Sequence, residues 1–205
     1  MIERYADHRP VAELAVHLGL HEEEPAATAG SDLVWLGRID EEKAPHIAIR
    51  AAQILGRRIR IVGPVFDETY VRRHDRLFSA DHVKWVGELG GPAKTAALRE
   101  GSVFVYTYAR TYVEAGAAVF GESLRAGTPM AALTWREGTC AQAALCDQTG
   151  VVTVADPRED DETAAELLAL AIEQAEDLNH TEVQEIGLQR FDPARHFAAM
   201  ASRPC

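Results

Sequence analysis

Six short apolar runs recur along the chain, each followed by a stretch with helical periodicity: Leu33-Val34-Trp35-Leu36, Ile59-Arg60-Ile61-Val62, Val83-Lys84-Trp85-Val86, Val103-Phe104-Val105-Tyr106, Met130-Ala131-Ala132-Leu133 and Val151-Val152-Thr153-Val154. Near-continuous hydrophobicity over four or five residues, rather than strict alternation, marks strands covered on both faces. Helices are predicted over 45–55 (Pro45 at the start, Gly56 after the end), 68–78, 92–99, 139–145 and 162–175. A further helix of about ten residues opens near Gly116-Ala117 and is closed by Gly127, with Pro129 as a stop. Shorter helices are predicted around 183–189 and after Pro193. Strands alternating with helices predict an α/β protein built on a parallel, doubly wound sheet of about six strands. Residues 31–205 make up this domain, and residues 1–30, with a short helix over 11–20 and a Pro/Ala/Gly loop, lead into it.

Sheets of this kind bind ligands at the carboxyl ends of their strands, here the loops after Gly37, Gly63, Gly87, Tyr106 and Leu133. The strand ending at Tyr106 is followed by Glu114 in a loop and, eight positions on, Glu122 in the helix. Ala117, Ala118, Val119, Leu124 and Ala126 make that helix small and apolar, hence buried. A charge on a buried helix needs a partner, a ligand included; the alternative is two carboxylates on a solvated face. Strand, small-residue loop and helix N-terminus together also form an anion site. After the first strand, Arg38 and Lys43 are placed to clamp a diphosphate, a guanidinium fork beside a point charge. Taken alone, they equally read as surface cations balancing Asp40, Glu41 and Glu42. Neither glycine-rich nucleotide signature is present. Gly121-Glu122-Ser123-Leu124-Arg125 lacks the second glycine of a hydrolase elbow and lies within a helix, which makes Ser123 structural.

Composition narrows the partners. At 205 residues, with 47% hydrophobic and 26% charged residues, the chain holds a full globular core. A net charge of -11 argues against nucleic acid and anionic membrane surfaces. No run approaches the ~18 apolar residues of a membrane span, and the N-terminus has no signal-peptide character, so a cytoplasmic location is expected. Cys140, Cys146 and Cys205 form no Cys-x-x-Cys pair and read as reduced thiols. His17 and His21 share a helical spacing but lack a third ligand, so no metal site is assigned.

Together these residues resemble the C-terminal, nucleotide-sugar-binding domain of retaining glycosyltransferases of family 4, the Rossmann-like second half of the GT-B fold. The resemblance runs from about His17 to Phe197. It rests on Gly37-Arg38 with Lys43, Ile61-Val62-Gly63, Val86-Gly87, the Glu114–Glu122 pair separated by seven residues, and Gly127-Thr128-Pro129. His17-Leu18-Gly19-Leu20 is similar to the segment that enters this domain from the N-terminal one. The resemblance implies that Arg38 and Lys43 bind the donor diphosphate and offset charge on the leaving group, a large catalytic term. It implies that Glu114 holds hydroxyls of the donor sugar and Glu122 the ribose. Backbone N–H groups of Gly116, Ala117 and Ala118 would cap the distal phosphate, and loops at Gly87 and Tyr106 would form the base pocket. Arg38, Lys43 and Glu114 would be the catalytic set, with no metal or other cofactor, and the anomeric configuration would be kept by front-face attack.

Three departures stand out. The family's Pro-Phe-Gly after the first glutamate is here Ala115-Gly116-Ala117, and its later Pro-Glu is Ala141-Gln142. The family's N-terminal acceptor domain, roughly 150 further residues, is not in the sequence, so the expectation is half an active site, inactive alone and completed by a partner protein or a longer chain. A non-catalytic nucleotide-sugar module and half of a GT-B-like epimerase are the other readings. The Arg38/Lys43 and Glu114/Glu122 spacings favour the transferase over the epimerase. An isolated half also predicts an apolar docking face and homodimerisation through it.

Overall fold

A computed structural model describes residues 26–192. The helices expected over 11–20 and after Pro193, His17, His21 and Cys205 lie outside that range. The strands are β1 (Asp32–Leu36), β2 (Ile59–Val62), β3 (Val83–Gly87), β4 (Gly101–Tyr106), β5 (Met130–Thr134) and β6 (Gly150–Val154). They form one parallel sheet in the order β3-β2-β1-β4-β5-β6. This is the doubly wound, Rossmann-like α/β architecture that the apolar runs predict.

The helices are α1 (Pro45–Ile54), α2 (Glu68–Arg73), α3 (Asp75–Phe78), α4 (Gly91–Arg99), α5 (Val119–Arg125), α6 (Cys140–Ala144), α7 (Asp161–Glu176) and α8 (His180–Arg190). Helices α1, α3 and α7 pack together over one face of the sheet, and α4, α5 and α8 form a second packed group. The inner strands β2, β4 and β5 are buried along their whole length. β3 departs from the fully buried expectation because it is an edge strand. Its Trp85 is 40% exposed, with one ring face against Phe78 at 5.2 Å and its Nε1–H donated to the Phe78 carbonyl.

Two helices differ from the sequence expectation. The segment 68–78 is broken at His74 (φ −106°, ψ 20°), whose ring stacks on His46 at 4.3 Å instead of continuing a helical turn. The helix after β4 begins at Val119, two to three residues later than expected, and spans seven residues. No side chain caps it, and the first full-turn bond near its start runs from the Glu122 N–H to the Ala118 carbonyl. Its other end follows the sequence signal. Gly127 (φ +81°) donates to the Leu124 carbonyl and Thr128 to the Ser123 carbonyl, the paired bonds of a Schellman motif. Thr128 Oγ1 also donates to the Leu98 carbonyl (2.7 Å), and Ser123 Oγ to the Thr128 carbonyl (3.0 Å), so Ser123 locks the helix end.

The start of α1 is tied to that of α7. His46 is 4% exposed, with Nε2 2.9 Å from Asp161 Oδ2 and Nδ1 2.6 Å from the Tyr70 hydroxyl. Arg110 also pairs with Asp161. Among the described residues, no helix is long and apolar enough to cross a membrane.

The hydrogen bond from His46, and then the nearby charges, hold the Asp161 carboxyl at about 2, below its usual 3.8, against the opposing effect of burial. A depressed carboxylate contributes stability that is fully present above pH ~4 and is lost as pH falls through the folded value. Asp161→Asn is therefore expected to lower the melting temperature at pH 7, with the gap to wild type narrowing between pH 4 and pH 2. Melts followed by circular dichroism check this, and an equal gap at both ends of the range contradicts it. Gly63 (φ +140°) ends β2 so close to β1 that an added Cβ would lie 1.9 Å from the Gly37 carbonyl oxygen. Gly63→Ala is expected to cost about 2 kcal/mol or more in urea unfolding; a change below 0.5 kcal/mol would show that the strand ends slide freely.

Candidate functional site

The strand order reverses between β1 and β4, so the loops leaving them diverge and open a crevice at their carboxyl ends. Residues 37–44 form one lip. The Gly37 N–H donates to the Val62 carbonyl and Ile39 to Pro64, while the Ile39 carbonyl accepts from Phe66 and Asp67. Asp40, 6% exposed, accepts the Lys43 N–H at 2.9 Å. The Lys43 carbonyl accepts from Thr107 Oγ1 at 2.9 Å, and that oxygen accepts the Trp35 Nε1–H at 2.9 Å. Ala44 follows in the left-handed region (φ 47°, ψ 48°), a conformation costly for a residue with a Cβ. The second lip, 107–118, is fixed by Ala109 N–H to the Glu42 carbonyl (2.8 Å), Trp135 Nε1 to the Tyr108 carbonyl (2.7 Å) and Arg136 to the Tyr112 carbonyl (2.9 Å).

Between the lips, the two glutamates each carry a lysine. The Lys43 ammonium pairs with Glu114 Oε2 and stands 4.9 Å from the centre of the Tyr112 ring. The Glu114 side chain is 10% exposed. Lys94, from the first turns of α4, lies 2.6 Å from Glu122 Oε1, and the Glu122 side chain is 12% exposed. The structure thus pairs Lys43 with Glu114, both singled out by the sequence, and pairs Glu122, also singled out, with Lys94, which was not. A signal for Lys94 was present: the helix dipole disfavours a cation so near a helix N-terminus, and Lys94 sits there two residues after Gly90-Gly91-Pro92.

Arg38 stands farther out. Its guanidinium bonds to Glu42 (2.8 Å), lies 3.4 Å from Asp40 and sits 4.9 Å from the centre of the Phe66 ring. The Glu42 hydrogen bond raises its already high pKa. Arg38 and Lys43 therefore share one loop but face different carboxylates. Gly116, Ala117 and Ala118 lie in the turn between Glu114 and α5. Gly87 ends β3 with φ +85° and open space beside it. Tyr106 is 5% exposed and packs against Phe120 (4.7 Å) and Tyr108 (5.9 Å), so its ring belongs to the core beneath the crevice. Burial pushes its phenol up strongly, and among the described residues its hydroxyl has no nitrogen or oxygen partner, its neighbour being the Cys140 thiol. Burial, and secondarily Glu114, raise that thiol to about 11. Gln142 closes a capping box at Thr139, with its Oε1 3.1 Å from the Thr139 N–H, and its amide is also bonded to Glu137.

Two surface cavities of about 530 and 490 Å³ lie elsewhere, lined by residues that include Arg57, Ser102 and Glu176 in one and Arg60, Lys84 and Glu100 in the other. Each holds an arginine–glutamate pair, Arg57 with Glu176 and Arg60 with Glu100. They stand at the amino ends of the strands, away from the switch point, and the crevice is the better candidate.

The sequence profile of the family described as glycosyl transferases group 1 matches residues 20–184. No curated protein sequence matches the chain. Among solved structures, it is similar to AviGT4, a glycosyltransferase involved in avilamycin A biosynthesis, with a TM-score of 0.69 and 19% identity over 90% of this chain and 55% of that one. A variant of S. aureus TarM, in complex with fondaparinux, alpha-GlcNAc-glycerol and UDP, gives a TM-score of 0.60 and 11% identity over 91% of this chain and 38% of that one. WaaG, a glycosyltransferase involved in lipopolysaccharide biosynthesis, gives 0.52 and 17% over 84% and 44%. At these identities the likeness is one of fold, and the chain spans about half the length of these structures or less. The profile match covers most of the sequence, and the chain belongs to the glycosyl transferases group 1 family, with the fold of the C-terminal half of a GT-B enzyme.

Proposed function

We propose that this domain binds a nucleotide-diphosphate sugar across the crevice between β1 and β4 and serves a retaining, metal-independent glycosyl transfer. The observation that carries the reading is the pair of half-buried carboxylates, Glu114 and Glu122, each held by a lysine at the one place where this topology binds ligands. Structural ion pairs do not need that location, whereas a polyhydroxylated, diphosphate-bearing ligand uses both signs of charge. Lys43, with Arg38 swinging from Glu42, takes the diphosphate, and their charge offsets that of the departing nucleotide diphosphate. Backbone N–H groups of 116–118 approach the distal phosphate. Glu114 accepts from sugar hydroxyls, and Glu122 accepts from the ribose.

Transfer breaks the bond between the sugar's anomeric carbon and the phosphate oxygen and forms one to an acceptor oxygen on the same face. The acceptor proton passes to the leaving phosphate. The acceptor site and the facing wall belong to the GT-B half that this chain does not span, and this chain alone is read as inactive. Among the described residues, Cys140 and Cys146 are free thiols, which suits a reducing, cytoplasmic setting. A non-catalytic nucleotide-sugar module is the second reading. It is favoured by Gln142, whose amide is engaged in capping α6 at the position where the family pattern has a glutamate.

A thermal-shift series with UDP, GDP, ADP and TDP tests the site. At about 100 times its dissociation constant, a nucleotide adds about 2.7 kcal/mol, several degrees of melting temperature. At least one nucleotide is expected to stabilise the wild type, and the effect should vanish in Glu122→Ala and in the double variant Arg38→Ala/Lys43→Ala. No shift with any of the four removes the donor reading for this chain. Turnover of a donor and a simple acceptor by this chain alone removes the need for the second half.

A further inference from the structure

We propose that Lys94 selects the nucleobase of the donor, favouring a base that presents a carbonyl oxygen, uracil or guanine, over adenine. The inference rests on the donor-site reading above and adds to it the residue that discriminates among donors.

The geometry runs outward from the phosphates. Lys43 and Glu114 mark the diphosphate and sugar end of the crevice, and Glu122 marks the ribose. A base hangs from the far side of the ribose, away from the diphosphate, and must therefore project past Glu122. The element there is α4, which packs on α5 and brings the Lys94 ammonium to 2.6 Å from Glu122. The approach to α4 is lined by backbone. Gly87, Gly90 and Gly91 surround Glu88 and Leu89, and a Cβ added at any of the three glycines would meet nothing within 4 Å. A flat ring has room along that loop.

An ammonium has three donors and no acceptor. One donor is engaged by Glu122, which fixes the nitrogen and leaves two donors to point at the incoming base. Uracil O4 and guanine O6 are acceptors, whereas adenine places an amine in the equivalent position, donor against donor. Lys94 is 27% exposed at its side chain, sheltered enough for a charge-assisted bond to count and open enough to be reached. Lys43 is paired with Glu114, so the two lysines divide the work between phosphate and base.

Calorimetric titration of the full chain with UDP, GDP and ADP tests this, using wild type, Lys94→Met, Lys94→Arg and Lys94→Gln, each first checked by its unliganded melt. Wild type is expected to bind UDP or GDP about tenfold tighter than ADP, the scale of one charge-assisted hydrogen bond. Lys94→Met should weaken that preferred nucleotide about tenfold and leave ADP within about twofold, and Lys94→Arg should restore the preference. Lys94→Gln, whose amide accepts as well as donates, should narrow the ratio in favour of ADP, and it tests the point even where the methionine variant folds poorly. A uniform loss across all three nucleotides overturns the proposal, because it would show Lys94 acting only through Glu122, and so does a wild type that prefers ADP. Absence of binding by every nucleotide to wild type overturns the donor reading and this inference together, whereas binding without base-dependent change overturns this inference alone.

Discussion

The geometry of the crevice depends on a chain of hydrogen bonds at the sheet's switch point, from the Trp35 indole to the Thr107 hydroxyl and from that hydroxyl to the Lys43 carbonyl. Trp35 belongs to β1 and Thr107 directly follows β4, the two strands between which the order reverses. A single threonine oxygen on the β4 side of the crevice thus holds both the β1 strand and the loop that leaves it. Thr107 is 1% exposed, so both of its bonds form away from water, where an unmade hydrogen bond costs about 1–3 kcal/mol. With Asp40 holding the N–H of the same residue, Lys43 is fixed at both of its peptide groups, and its flexible stem is all that can move. The left-handed Ala44 is the backbone strain that accompanies this fixation.

Most of the fold was legible because its signals are local. Each strand announced itself as an apolar run, and Gly127-Thr128-Pro129 announced the end of α5 by the chemistry of a Schellman motif. The starts of helices were less legible. α5 has no capping side chain, so nothing in 116–118 distinguishes a turn from a first helical turn. The helix breaks at His74, whose ring stacks on His46, a residue 28 positions away that no local window contains. The exposure of Trp85 was not legible, because hydrophobicity does not say which strand lies at the edge.

The site was legible where function rests on spacing. Glu114 and Lys43 meet in an ion pair across the two loops that the sequence singled out, and Glu122 is a partly buried charge on a mostly buried helix, as the apolar character of that helix implied. Lys94 escaped because its partner is on another helix, and pairing across elements leaves no period in the sequence. Tyr106 illustrates the opposite error: a residue at a strand's carboxyl end is near the site in sequence, yet alternation along β4 turns its ring toward Phe120 and the core. Both carboxylate–lysine pairs are poor stabilisers in themselves, since removing charges from water offsets much of their attraction. That makes them exchangeable. A ligand offering hydroxyls to the glutamates, phosphate oxygens to Lys43 and a carbonyl oxygen to Lys94 would meet these groups with contacts of similar strength.

The end of β2 has a further consequence. The contact between Gly63 and the Gly37 carbonyl leaves no room for any side chain at that position, and this is set by strand register rather than by packing. A lineage accumulating substitutions therefore cannot place a side chain where the ends of β1 and β2 meet, because the sheet would fail first. The backbone contact outlasts whatever chemistry the neighbouring loops perform. Change in such a family is channelled to the rim, where residues such as Lys94 and Phe66 can be exchanged without disturbing the strands, and new ligands can be acquired on an old sheet.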